Sequence, residues 1–176
     1  MTRGGGRLTG RPPRSLAPTV SAYRPRVGFL AKLLLGSGTL KPDLRAALES
    51  EGFVRIEEGL TGSVRYEHFR APGRYHHGKI TGVRVGLGIS EQRIVVYSHS
   101  GRAKLVDTRF ADPRATMLDV ALDRDDRVAI GVDYDRGDVP KVSGQITIMV
   151  RTPDAATIVE ELRARLDDGR RASADG

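Results

Sequence analysis

Apolar residues recur along this 176-residue chain with two different periods. From residue 53 onward the dominant period is two. Val83, Val85, Leu87 and Ile89 share one face of an extended segment, as do Val128, Ile130 and Val132, and again Ile146, Ile148 and Val150. "QRIVVYS", "AKLVDTRF" and "TMLDVALD" read as further strands, with turn signals at Ser100-Gly101, Asp112-Pro113 and Asp125-Asp126. Before and after this region the period is helical. In "TLKPDLRAALESEG", Leu40, Leu44, Ala47 and Leu48 fall on one face, Pro42 suits a first turn and Gly52 a stop. After "VSGQITIMV", Thr152 can cap, Pro153 fits a first helical position, and Asp154 favours the positive end of the helix dipole. Ala155, Ile158, Val159, Leu162 and Leu166 then form one apolar stripe, with Glu160, Glu161, Arg163 and Arg165 toward water. The pattern predicts an α+β chain that is mainly β. About seven short antiparallel strands form a small barrel or sandwich, and a C-terminal amphipathic helix plugs its open end.

The flanks change the picture through charge. The formal charge is +7, but residues 1–28 hold six arginines and no acid, whereas residues 29–166 hold 21 basic and 19 acidic residues. The basicity therefore belongs to a Gly-, Pro- and Arg-rich tail whose composition predicts disorder, not to a nucleic-acid-binding surface of the folded body. "VGFLAKLLLG", residues 27–36, follows this tail. Lys32 and the missing cleavage pattern argue against a secretory signal, and a short helix burying Phe29, Leu33 and Leu34 is expected instead. No apolar run is long enough to cross a bilayer. The expected division is a disordered tail over 1–28, a helical segment and first strand over 29–61, a barrel with its capping helix over 62–168, and a second disordered tail over 169–176. With no cysteine, the chain can form no disulfide, thiolate metal site or cysteine nucleophile.

The order of elements resembles that of a bacterial pleckstrin-homology-like (PH-like) domain. "GVRVGLGISEQRIVVYS" is similar to the second and third strands of that fold, and "SGQITIMVRTPDAATIVEELRARL" to its last strand and capping helix. The resemblance covers residues 62–166. Eukaryotic members usually carry a tryptophan in the closing helix; here Leu162 or Ile158 fills that place. The resemblance implies a barrel capped by its last helix, and a role in binding lipid headgroups or peptides, or a structural one.

One stretch concentrates candidate chemistry. "YEHFRAPGRYHHGKITG", residues 66–82, holds three of the four histidines together with Arg70, Arg74 and Lys79. It reads as the end of a first strand, a turn, and the start of a second. In phosphoinositide-binding relatives this loop grips phosphate, so the resemblance makes Arg70, Arg74, Lys79 and Arg84 candidate anion or headgroup ligands, with His76 and His77 as auxiliary donors. The relatives' second cation is missing, since Thr81 stands where it is wanted. Zinc is disfavoured because His76 and His77 are neighbours in the chain, and neighbours in a strand point to opposite faces. Gly82, Gly86 and Gly88 alternate with Val and Leu inside a strand, so close backbone approach explains them better than a nucleotide loop does. Ser98, His99 and Ser100 are contiguous, the wrong arrangement for a catalytic triad, and "DYDRGD" lacks the calcium-loop pattern.

No catalytic residue, cofactor or metal is therefore expected. The reading is a non-enzymatic, cytoplasmic binding module, peripheral at the inner membrane face, that docks on an anionic membrane surface or an acidic partner. Two alternatives are a protein–protein module that takes a partner segment on a sheet edge or helix groove, and winged-helix-like nucleic-acid binding through residues 42–70. The acids Asp43, Glu49 and Glu51 beside Arg45 oppose the second of these.

Overall fold

A computed structural model describes residues 38–98 and 103–174. The arginine-rich tail, the "FLAKLLL" segment and the Ser100-Gly101 turn lie outside the described residues. Helix α1 (Pro42–Ser50) leads into eight strands: β1 (Phe53–Ala71), β2 (Arg74–His76), β3 (Lys79–Ser90), β4 (Arg93–Ser98), β5 (Ala103–Arg109), β6 (Leu118–Arg124), β7 (Arg127–Asp133) and β8 (Ser143–Arg151). Helix α2 (Ala155–Ala174) follows. Seven strands form one antiparallel sheet in the order β5-β4-β3-β1-β8-β7-β6, and β2 pairs with β1 alone. The sheet curls into a half-barrel. Its inner face carries the alternating set Val83, Val85, Leu87, Ile89, Val128, Ile130, Ile148 and Val150. The α2 stripe of Ala155, Ile158, Val159, Leu162 and Leu166 closes over them in one cluster. Ile158 and Leu162 are both wholly buried, as their place in the stripe requires.

The first strand is longer than its sequence suggested, running 19 residues and serving both halves of the sheet. Such a strand must bend, and its register with β3 slips between Glu57 and Leu60, where Gly59 has φ +70°. A second slip, against β8 between Glu67 and Arg70, centres on His68 at φ +49°. Gly144 of β8 packs against the Glu67 and His68 carbonyls there, so any side chain at 144 would collide with backbone.

Helix α1 lies on the outer face of β3 and β4. Leu40, Leu44 and Leu48 form a second cluster with Val95 and Tyr97. Gly86 and Gly88 make this approach possible, because a Cβ at either would run into Gly38, Leu40 or Leu48. Residues 42–70 are thus a helix docked on a sheet and that sheet's first strand. At the other end α2 continues to Ala174, beyond the stop expected near residue 168. Two (i, i+3) ion pairs, Arg170–Asp167 and Arg171–Asp168, support the extra turns. Gly169 packs against the Phe110 carbonyl, and Arg170 reaches the strand beside it.

Arg55 of β1 fastens the helix start, pairing with Glu57 (3.2 Å), Asp154 (3.1 Å) and Glu161 (3.2 Å). Burial opposes its charge, yet the carboxylates of Glu161 and Glu57 outweigh it and hold its pKa up. The Thr152 hydroxyl accepts from the Asp154 N–H, as a helix-capping side chain does, and donates to Glu57 at 2.7 Å.

Both sheet edges are guarded. On β6 the outward carbonyls of Val120 and Leu118 accept from Arg163 Nε (2.9 Å) and Arg170 Nη2 (3.1 Å) of α2. On β5 the pairs Val96↔Val106 and Tyr97↔Lys104 leave Leu105 as an extra residue, a bulge that interrupts the edge.

Candidate functional site

The region singled out in the sequence forms a projecting arm. β3 pairs with β1 as far as Tyr66↔Lys79 and β8 as far as Arg70↔Ser143, and beyond the end of β3 the short β2 folds back on β1 through Phe69↔His76, Arg70↔Tyr75 and Ala71↔Arg74. The turn at its tip is built on Gly73 (φ +72°) and the link from β2 to β3 on Gly78 (φ +65°), conformations glycine adopts without strain.

Strand geometry sorts the side chains. Arg70 and Tyr75 are cross-strand partners, and the guanidinium lies 5.4 Å from the ring centroid in a cation–π contact. The extra residue at His68 restores Arg70 to the face that already carries Arg65 and Glu67, which pair at 3.0 Å. Ile80 is opposite Arg65. One face of the arm therefore presents Arg65, Ile80, Arg70 and Tyr75. Tyr75 is 57% exposed and Ile80 62%, among the most exposed large apolar side chains described. Lys79, opposite Tyr66, and Arg74, opposite Ala71, flank the arm from its other face. Arg70, Arg74, Tyr75 and Gly73 together line a shallow open depression at the tip.

The histidines diverge. His76 sets its ring edge-on to Tyr66, 5.2 Å between centroids. His77 stacks on His68 at 4.1 Å, and its Nδ1 accepts the His68 backbone N–H at 3.4 Å. Among the described residues no three His, Asp or Glu side chains converge as a metal site would require. Beneath the arm, Tyr66, Phe69 and Tyr134 stack in tilted pairs at 5.7 Å. Burial pushes the Tyr134 hydroxyl pKa up, and Tyr66 beside it adds to the shift.

Of the six anion-ligand candidates, Arg70, Arg74 and Lys79 gather at the arm, with His76 and His77 turned into ring contacts at its base. Arg84 stands apart. It points to the outer face from the middle of β3 and is 1% exposed, and its Nη1 donates to the Gly59 carbonyl at 3.3 Å. Sequence reasoning missed Tyr75 and Ile80. Their signal is two lone apolar residues inside a polar, cationic hairpin, where a strand pairing with no core beneath it leaves them in solvent.

No helix among the described residues is long and apolar enough to cross a membrane. No protein-family model matches the chain, and a search of curated proteins returns no significant match.

Proposed function

We propose that this chain is a PH-like, non-enzymatic binding module that docks on an anionic membrane surface through the β1–β2–β3 arm. The observation that carries the reading is the company kept at the tip. Arg70 and Arg74 share a depression with Tyr75, while Ile80, on the same face as Tyr75 but opposite Arg65, follows Lys79 in the chain; both apolar side chains are left largely exposed. An amphipathic tyrosine and an aliphatic side chain suit the headgroup boundary, and each nearby cation adds about 1 kcal/mol of attraction to an anionic surface. Three such cations give weak, salt-sensitive binding unless the apolar pair enters the interface or a second basic element, such as the arginine-rich tail, assists. The strand order β5-β4-β3-β1-β8-β7-β6 with a closing helix supports the PH-like reading, and a cytoplasmic, peripheral location follows from the proposed ligand.

The protein–protein alternative draws less support. Arg163 and Arg170 occupy the groove between α2 and the β6 edge, and the bulge at Leu105 interrupts β5. The winged-helix alternative is opposed by α1, whose buried leucines face the sheet.

Co-sedimentation of the full chain with anionic and neutral vesicles, at low and high salt, tests the proposal. Binding is expected to anionic vesicles only, to fall with salt, and to be lost in R70A/R74A/K79A. Y75A/I80A is expected to weaken it at every salt concentration. Undiminished binding by the triple variant, or none by the wild type, overturns the reading.

A further inference from the structure

Away from the arm, the outer face of the sheet carries a row of charge that the fold compensates only in part. Arg127 of β7 and Arg151 of β8 are direct cross-strand partners. Gly62 of β1 pairs with Val150, so the next position, Thr61, stands beside Arg151; on its other side Thr61 pairs with Arg84 of β3. Four adjacent strands thus present Arg84, Thr61, Arg151 and Arg127 along one row, at about 4.8 Å per strand. All four are on the outer face, because the intervening residues Val83, Val85, Val128 and Val150 fill the inner core.

Like charges directly opposed across a ladder are destabilising, and proteins ordinarily avoid them. Here the compensation is partial. Arg127 Nη1 pairs with Asp123 at 3.1 Å and makes a long contact to the Met149 sulfur. Its Nε is buried with no hydrogen-bond partner, as are Arg84 Nε and Nη2. Arg151 is exposed and has no ion pair among the described residues. Three orphaned guanidinium nitrogens in one row ask for an acceptor the chain does not supply. Beside Arg127 and Arg151 is a hollow of 230 Å3, lined also by Thr61, Gly62, Ser63 and Met149. It is smaller than the roughly 300–1,000 Å3 of pockets for drug-sized molecules. Guanidinium and hydroxyl donors around a compact space match an oxyanion's acceptors.

We infer that this outer-face hollow is a phosphate-binding site, with Arg127 and Arg151 as its principal ligands and Thr61 and Ser63 as hydroxyl donors. Arg84, enclosed at the end of the row, contributes charge. The site is separate from the arm and independent of its role.

The test titrates the full chain with inorganic phosphate and pyrophosphate against matched chloride, following arginine Nε–H resonances by NMR. A saturable shift of Arg127 Nε–H is expected, with affinity weakened about tenfold or more in R151Q, the loss of one charge-assisted pair. R151Q alters an exposed side chain and keeps the fold, which circular dichroism verifies; R127K keeps the charge but loses the planar fork and is expected to weaken binding as well. A parallel arm uses vesicles containing phosphatidic acid. An R151Q defect confined to vesicles assigns the phosphate to a lipid headgroup, and one confined to solution assigns it to a free anion; either supports the site. No binding by the wild type in either arm, or wild-type affinity in both R151Q and R127K in both arms, overturns it. R70A/R74A/K79A is expected to titrate as the wild type does, and loss of phosphate binding in that variant instead would move the site to the arm and refute the inference.

Discussion

Replacing Leu48 with Ala tests whether α1 is an integral part of this domain. Leu48 is wholly buried, packs with Leu40, Leu44, Val95 and Tyr97, and stands over the bare backbone of Gly88. A buried Leu→Ala change costs about 2–5 kcal/mol, through lost transfer energy and the cavity left behind. The docking of α1 is itself not much larger. Leu44 and Leu48 of the helix, with Leu40 just before it, contribute about 1.5–3 kcal/mol each, and the entropy cost of ordering the segment offsets most of that gain. A nine-residue helix has no stability of its own in water. The variant should therefore release α1 before it unfolds the barrel. Native-state hydrogen exchange is the decisive assay: α1 amides should lose most of their protection, while those of β3 and β8 keep theirs. Urea unfolding followed by circular dichroism should show a loss of no more than about 2–3 kcal/mol, capped by the docking energy. Leu122→Ala, at a side chain 43% exposed, serves as the control and should cost less than about 0.5 kcal/mol. If α1 amides in the Leu48 variant stay as protected as those of β3, the account of the outer-face cluster is wrong.

Two other outcomes follow from particular contacts. R163A/R170A removes the side chains that occupy the outward carbonyls of β6, so sedimentation velocity should show concentration-dependent association where the wild type shows less, with little loss of stability; equal behaviour would mean these bonds do not guard the edge. Tyr134 has a folded-state pKa above that of an unfolded tyrosine, about 10, so the unfolded chain releases this proton first and stability falls as pH rises past that value. Y134F should lose less stability than the wild type between neutral and strongly alkaline pH, read from denaturation midpoints, and a parallel decline would contradict the burial argument.

Much of the fold was legible because its signals are local. Period-two alternation in "GVRVGLGIS" and the stripe from Ala155 to Leu166 state which side of each element is apolar, and the element order then leaves few ways to bury them. Gly86 and Gly88 were readable as points of close approach, although what approaches them was not. The arm was legible as a cationic hairpin whose adjacent histidines must diverge. The 19-residue reach of β1 was not, because its register slips, those at Gly59 and His68 among them, depend on what β3 and β8 pair with.

The sequence by itself determined the kinds of element, their order, the inner core and the placement of excess charge in residues 1–28, since each rests on residue type and short-range spacing. Only the tertiary structure decided what became of the outer face. Arg84 reads in the chain as one more cation near a basic hairpin, yet the sheet carries it away from that hairpin, buries it, and sets it in a row with Thr61, Arg151 and Arg127. Those neighbours come from strands far apart in the chain. Periodicity reports which side a residue faces, and the strand order alone reports who stands next to it.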